Sequence, residues 1–571
     1  MKSNPQFIFR ARLLSICAVL VGATLLSKLY FVQLVDGDVY REKADRQYSL
    51  PGQELWDRGS IFFQMRDGSR VSGATLKTGF TLVIRPNEIT EPEELWNALS
   101  PLVPLQKDAF LAKAKKRSDP YEEIAHRLGS ETAQAITERS FKGVSLYKER
   151  WRFYPGSLLA AHVLGFVGFD GDARNGRYGL ERYYEDVLSR EGSSGTYQNF
   201  FAEIFRGVKK VIGPERTEGD LLTSIEPSVE HFLEGRVSDI EAKFSADRVG
   251  GIIMDPKTGR IYAMALSPSF DPNDFGSVVN ASHFSNALVE SVYEMGSILK
   301  PLTMAAGIDA GVVTATSTYF DAGSLTLNGK TISNFDGKGR GRVPMQEVLS
   351  QSLNTGAATV ALRLGNNRFR SYFKELGLGE ETGIDLPAEA AGLVKNLESG
   401  RDIEIATASY GQGIALTPIQ TIRALAALGN GGYLVTPHVG VAITHKSGVT
   451  RSIEDLLKKS VFKERTSEEI SRMLIEVVDN ALLEGKFKMP HHSIAAKTGT
   501  ALIADPSAGG YYTDRFLHSF FGYFPAYDPR FIVFLYAVEP KGVTFASHTL
   551  AEPFMSIAKF LINYYEIPPD R

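Results

Sequence analysis

Ser297-Ile298-Leu299-Lys300 is followed, in order along the chain, by Ser352-Leu353-Asn354 and Lys497-Thr498-Gly499-Thr500. Each pattern alone is short and built from common residues, so a chain of 571 residues holds a few by chance. Together they supply the parts of one serine-based acyl transfer: a hydroxyl with a lysine beside it, a second hydroxyl with an amide, and a strand bearing a cation. Residues three apart on a helix share a face, so Lys300 Nζ is expected within reach of Ser297 Oγ. Lysine acts as a base only where burial and nearby positive charge depress its proton affinity. Lys497 is the expected source of that charge. Gly296 frees the entry to the turn, and Pro301 has no N–H to return to the Ser297 carbonyl, so a helix should start within this turn. Its free N–H groups would face the charge that develops in a tetrahedral intermediate at Ser297.

A second Lys-Thr-Gly, Lys257-Thr258-Gly259, lies between Gly251-Ile252-Ile253-Met254 and Arg260-Ile261-Tyr262-Ala263-Met264. Two apolar runs joined through a Pro- and Gly-containing turn predict a hairpin tip with a solvated lysine. Ser493-Ile494-Ala495-Ala496-Lys497 has small and β-compatible residues with no turn signal, and predicts a strand that can line a cleft. Phe531-Ile532-Val533-Phe534-Leu535-Tyr536-Ala537-Val538 reads as a buried strand. The Asp528-Pro529-Arg530 turn gives it an antiparallel partner in His518-Ser519-Phe520-Phe521-Gly522. Thr417-Pro418 has the form of an N-cap with Pro at the first helical position, and Gly429-Asn430-Gly431-Gly432 should stop that helix. Helical runs are expected over Pro92 to Leu102 and Ala125 to Ser140, with extended chain near Thr81-Leu82-Val83-Ile84. The fold class is α/β (α+β), with strands at 250–265 and 493–540 flanking a helical middle.

Composition is ordinary globular material, 43% hydrophobic and 23% charged. A net charge of −3 gives no basic footprint for nucleic acid, and no nucleic-acid partner is expected. There is no Gly-rich phosphate loop and no Cys/His metal spacing, so no cofactor and no metal are expected. Adjacent His491 and His492 project in different directions and do not form a metal pair. From Leu13 to Val35 the chain is apolar apart from small or polar residues and Lys28, long enough to span a bilayer core of about 30 Å. Lys2, Arg10 and Arg12 precede it while Asp36 and Asp38 follow, which predicts a cytoplasmic N-terminus and an exported bulk. No small-residue cleavage site follows, so an uncleaved single-pass anchor is favoured over a signal peptide or a lipoprotein site at Leu14-Ser15-Ile16-Cys17. Cys17 is the only cysteine, so the exported part has no disulfide. With a boundary at Gly213-Pro214-Glu215-Arg216-Thr217, the expected order is a cytoplasmic tail (1–12), an anchor (13–35), a pedestal (36–216) and a catalytic domain (217–571).

The ordered triplet resembles the penicilloyl-serine transferases, the class of penicillin-binding proteins and serine β-lactamases. Asn286-Ala287-Leu288-Val289-Glu290-Ser291-Val292-Tyr293-Glu294-Met295-Gly296-Ser297 narrows this to class B penicillin-binding proteins. So do Thr382-Gly383-Ile384-Asp385-Leu386-Pro387, Tyr410-Gly411-Gln412-Gly413-Ile414 with Thr417-Pro418-Ile419-Gln420, and Phe520-Phe521-Gly522-Tyr523-Phe524-Pro525-Ala526. Arg58-Gly59-Ser60-Ile61 and Gly176-Arg177-Tyr178-Gly179-Leu180-Glu181 resemble the signature patches of the class B pedestal, a dimerisation-type module. There Arg58, Gly59 and Glu181 are structural, the two charges forming an ion pair. The chain departs from the family at Phe62-Phe63-Gln64-Met65 and at Met295, Ile298 and Leu299, none of which needs a reacting side chain.

The resemblance implies a β-lactamase-like domain with an antiparallel sheet, and a peptidoglycan D,D-transpeptidase that β-lactams also acylate. By family position, Ser297 is the nucleophile and Lys300 its base. Ser352 relays a proton, Asn354 orients Lys300 and the peptide amide, and Lys497 sets the potential. Thr498, Gly499 and Thr500 bind the substrate's carboxylate end, and the N–H groups of Ser297 and Thr500 form the oxyanion hole. It further implies an inner-membrane enzyme acting outside the cytoplasm on stem peptides, partnered by a polytopic glycan-polymerising glycosyltransferase and other division proteins. Length and the lack of appended C-terminal repeats favour a division role over lateral-wall elongation. A D,D-carboxypeptidase or β-lactamase, a drug-sensing receptor and a vestigial scaffold are the other readings. The pedestal, the short cytoplasmic tail and the intact triplet respectively disfavour them.

Overall fold

The computed structural model describes residues 55–170, 173–190, 218–453, 458–507 and 509–571. The expected anchor at 13–35 and the expected boundary at Gly213–Thr217 lie outside them. Among the described residues no helix is long and apolar enough to cross a membrane.

The chain forms two compact units, one containing Lys77–Trp151 and the other Asp57–Leu76 with Arg152–Arg571. The larger is organised on a five-stranded antiparallel sheet. In chain order its strands are β1 (Arg248–Met254), β2 (Ile261–Ser267), β3 (Ala495–Ala504), β4 (Tyr511–Phe524) and β5 (Phe531–Val538). Their spatial order is β3-β4-β5-β1-β2, which leaves β3 at an edge. The two-residue period of β5 explains its unbroken apolar run. Val533 and Leu535 pack into one core with Val229, Leu233 and Val237 of helix α1 (Pro227–Phe244) and Phe554 and Leu561 of the C-terminal helix Ala546–Tyr564. Ile532, Phe534 and Tyr536 face the other core, which holds the helical middle of the chain. A strand covered on both faces has no polar side to show.

The helical middle contributes α2 (Lys300–Asp309) and α3 (Asn354–Leu364), which pack together behind the sheet's edge. Lys257-Thr258-Gly259 is the β1–β2 hairpin tip, with Gly259 at φ 85° and the exposed Lys257 ammonium paired to Asp528. His518 and Gly522 of β4 pair with Ala537 and Val533 of β5, as the Asp528-Pro529-Arg530 turn requires. Thr417 caps the helix Pro418–Ala426, and Gln420 closes a capping box. Pieces from both ends of the sequence join a second sheet: Ile61–Gln64 pairs parallel with Gly219–Thr223, which pairs antiparallel with Gly440–His445.

The smaller unit holds the helices Pro92–Leu99, Lys107–Ala114 and Ser130–Arg139 around Leu82, Ile84, Leu95, Leu99 and Phe110. The helix expected over Ala125 to Ser140 is corrected here. Glu122–Leu128 is a strand in which Leu128 and Ala125 pair with Phe80 and Leu82, and the helix begins only at Ser130. Cross-strand pairing overrode a weak local helical preference.

Candidate active site

Gly296–Leu299 forms a 3₁₀ turn that runs directly into α2, with Pro301 in the first turn of that helix. The Lys300 N–H closes the turn on the Ser297 carbonyl. Gly296 takes φ 64° and donates its N–H to the Gly411 carbonyl at 3.0 Å. A Cβ on Gly411, itself at φ 81°, would lie 2.2 Å from the Gly296 carbonyl oxygen, so two glycines let these backbones touch. Ser297 is half-buried, while Ile298, Leu299 and α2 residues Leu302, Ala305 and Ala306 bury around it and fix the turn.

Three chain segments converge on one hydroxyl. Lys300 Nζ donates to Ser352 Oγ at 3.1 Å and to the Ser352 carbonyl at 2.5 Å, and Lys497 Nζ donates to the same Oγ at 3.1 Å. Ser352 sits at φ 56°, a left-handed conformation that a side chain adopts at a cost. The expected Lys300–Ser297 hydrogen bond is not the one formed: the Ser352 carbonyl and hydroxyl hold the lysine instead, and Ser297 Oγ has no protein partner among the described residues. Both lysines are nearly inaccessible, at 1% and 3% exposure. Burial pushes the Lys300 ammonium well below its ordinary range, and the Lys497 charge pushes it further. Burial alone brings Lys497 down to about 7. Two adjacent ammonium groups out of water cannot both keep their protons easily, so one is poised as a base.

Asn354 opens α3, where its amide donates to the Ser333 carbonyl at 2.8 Å; Ser352, not Asn354, supplies the side chain that touches Lys300. Thr500 Oγ1 accepts from the Ala546 N–H at 3.1 Å, which leaves its own proton free to donate. Gly499 is the close-packed point of β3. A Cβ there would meet Ser519 Oγ at 2.3 Å and the Met295 carbonyl oxygen at 2.7 Å. Ser519 Oγ donates to that same Met295 carbonyl at 2.8 Å and ties β4 to the nucleophile turn.

Two family models match this chain: the penicillin binding protein transpeptidase domain over residues 249–559 and the penicillin-binding protein dimerisation domain over 58–202. Stage V sporulation protein D of Bacillus subtilis is 31% identical, over 96% of this chain and 84% of its own length. A peptidoglycan D,D-transpeptidase FtsI homolog of Mesostigma viride is 28% identical, over 96% of this chain and 94% of its own. The chain belongs to the class B penicillin-binding proteins. Its fold is that of penicillin binding protein 3 from Mycobacterium tuberculosis complexed with aztreonam, at a TM-score of 0.68 and 22% identity over 91% of this chain and 98% of that one.

In this penicillin-binding protein the pedestal signatures meet away from the nucleophile. Arg58 Nε donates to Glu181 Oε2 at 2.7 Å, with both side chains buried, and Arg58 also holds Glu185. Sequence reasoning missed Arg152, which pairs with Glu181 from the other side and donates to the Gly59 carbonyl at 2.7 Å. Burial pushes the Glu181 carboxyl up, but Arg152 and Arg58 outweigh it and hold it below the usual carboxylate range. Gly59 has no room for a side chain, since a Cβ would stand 2.0 Å from the Gly219 carbonyl oxygen. His492 bonds to the Ile567 carbonyl, and no cluster of three metal-ligating side chains exists among the described residues. Ser519 and Arg152 were missed because neither belongs to a motif, and Gly411, although inside the Tyr410-Gly411-Gln412-Gly413 stretch, has no side chain to suggest its packing role. Only the parity of Ser519 opposite Gly499 on a paired strand would have pointed to it.

Proposed function

We propose that this chain cross-links peptidoglycan stem peptides through an acyl-enzyme on Ser297. The observation that carries the reading is the pair of buried lysines, each with its proton affinity lowered, that meet on Ser352 beside the Ser297 turn. Ser297 Oγ attacks the carbonyl carbon of the penultimate D-alanine while Lys300, unprotonated, accepts the hydroxyl proton. The tetrahedral oxyanion lies against the N–H groups of Ser297 and Thr500, at the start of a helix and on a sheet edge. As the intermediate collapses, the C–N bond breaks and Ser352, fed by the lysine pair, passes a proton to the departing D-alanine amine. Thr498 and Thr500 hold the carboxylate of that D-alanine, with Lys497 supplying attraction. Asn354 faces the peptide amide from the start of α3. A neighbouring stem-peptide amine then attacks the ester carbon, the C–O bond to Ser297 breaks, Ser297 recovers its proton, and an amide cross-link is left.

A β-lactam presents its strained amide to the same serine and stays as the ester. The apolar segment 13–35 anchors the chain in the cytoplasmic membrane with the catalytic domain outside, and a polytopic glycan polymerase supplies the strand to be cross-linked. The transpeptidase reading is supported by the peptidoglycan D,D-transpeptidase FtsI homolog of matching length. The test is intact-mass spectrometry after a labelled penicillin, with Ser297→Ala alongside. One long-lived adduct, absent from the variant, is the expected result. An adduct that decays within minutes points to a hydrolase, and no adduct points to a scaffold.

A further inference from the structure

His518 is completely buried on β4, and no step of the reaction uses it. It lies directly across from Thr500 in the β3–β4 register, and opposed residues of an antiparallel pair project to the same face of the sheet. On that face both side chains meet the start of the C-terminal helix Ala546–Tyr564. His518 Nε2 lies 2.9 Å from the Thr544 carbonyl oxygen, and Nδ1 lies 2.8 Å from Thr549 Oγ1. A carbonyl oxygen can only accept, so Nε2 carries the ring proton and Nδ1 of the neutral ring accepts from the Thr549 hydroxyl. Burial pushes the imidazole down to about 4, against the pull of the Thr544 carbonyl, so the ring is neutral at neutral pH and holds this tautomer.

The two bonds straddle the beginning of the helix. Thr544 precedes it and Thr549 lies in its first turns. Between them the Ala546 N–H, one of the donors that a helix start leaves unpaired, goes to Thr500 Oγ1 at 3.1 Å. That bond occupies one acceptor site of the Thr500 oxygen and leaves the hydroxyl proton to point away from the helix, to the place a substrate carboxylate takes. Threonine is β-branched and stiff at χ1, so a hydroxyl released from Ala546 swings by a whole rotamer and no longer faces the carboxylate. The other reacting groups are placed by other means: the Thr500 N–H by the strand, and Lys300 and Lys497 by Ser352. The His518 ring thus governs the threonine side chain and leaves the nucleophile and its base alone. An apolar side chain of similar volume would fill the same space and supply neither bond.

We propose that His518 is a positioning residue for carboxylate recognition. It clamps Thr544 and Thr549 so that the Ala546 N–H fixes the rotamer of the Thr500 hydroxyl, which receives the substrate's terminal carboxylate. This rests on the reading of Thr500 as a carboxylate ligand in an enzyme acylated at Ser297. The test uses the full-length chain with benzylpenicillin and its methyl ester, which differ only in whether the carboxylate is free, and follows the acylation rate by intact-mass spectrometry. The wild type should prefer the free acid about ten- to a hundredfold, the range of one charge-assisted hydrogen bond. His518→Leu should remove most of that preference by slowing the acid and not the ester, with the loss in the half-saturating concentration and not in the limiting rate. His518→Gln, whose amide keeps an N–H donor for the Thr544 carbonyl, should recover part of it. An equal fall of both rates shows a merely structural role and overturns the proposal, as does a Leu variant that keeps the wild-type preference. If the Leu variant does not fold, Thr549→Val, which removes one of the two bonds from the helix side, is judged by the same ratio and the same outcomes. A wild type that reacts equally with acid and ester means that the reading of Thr500 has failed and takes the proposal with it. No adduct from either compound means that the reading of Ser297 has failed as well.

Discussion

Ser352 is the residue on which the chemistry turns, because it accepts hydrogen bonds from two lysines that come from opposite directions of the chain. Each lysine depends on the other. The positive charge of Lys497 disfavours the protonated form of Lys300, so removing it must raise the Lys300 pKa. Acylation needs Lys300 unprotonated and therefore increases with pH. In Lys497→Met the rising limb of the penicillin acylation rate should move to higher pH, in addition to any loss in its plateau. A plateau loss with an unmoved limb would separate the two lysines. The motif residues were readable because a nucleophile and its base sit on one turn. The partner actually chosen by Lys300 was not, since nothing local says that the Ser352 backbone takes the left-handed conformation that turns its carbonyl inward.

At the scale of the element, β3 does two things: it carries Lys497 and the two threonines, and it leans on the nucleophile turn at Gly499. The would-be Cβ distances there, 2.3 Å to Ser519 Oγ and 2.7 Å to the Met295 carbonyl, leave no room for a methyl group. Gly499→Ala must push the strand away from Ser297 or distort the Met295–Gly296 backbone. Overpacking of this kind costs on the order of 1–3 kcal/mol. Thermal unfolding should show that loss, and penicillin labelling should fall by far more than stability alone explains, because the Thr500 N–H moves with the strand. The strand was legible from small and β-compatible residues. Glu122–Leu128 was not, because His126 and Arg127 give it no strand signature and its pairing with Phe80 and Leu82 decides it.

Across the whole molecule, two groups of buried carboxylates act oppositely on stability. Glu181 lies between Arg58 and Arg152, with its pKa held down, so its contribution is present above an unfolded value of about 4.3 and is lost as pH falls through the folded value. Glu181→Gln should cost about 3–5 kcal/mol at neutral pH, the penalty of leaving buried guanidinium groups unpaired. Glu230 and Glu234 on α1 go the other way: burial pushes the first well up and the second up to about 7. Their contribution is complete below about 4.3 and is lost as pH rises through the folded values. Glu234→Gln should flatten the decline in melting temperature between pH 5 and 8, measured beside the wild type.

The amino-acid sequence by itself determined the reacting groups, the hairpin nature of Lys257-Thr258-Gly259, the buried strand at 531–538 and the family. All of these are carried by short-range spacing, side-chain period and turn chemistry, which act between near neighbours. Only the tertiary structure decided that Lys300 and Lys497 share Ser352, that Arg152 completes the Arg58–Glu181 pair, and that Glu294 meets Tyr511. Those contacts join positions 29 to 217 residues apart. They are fixed by how the sheet edge, the helical middle and the connecting turns close on one another, and no local pattern in the chain encodes such a distance.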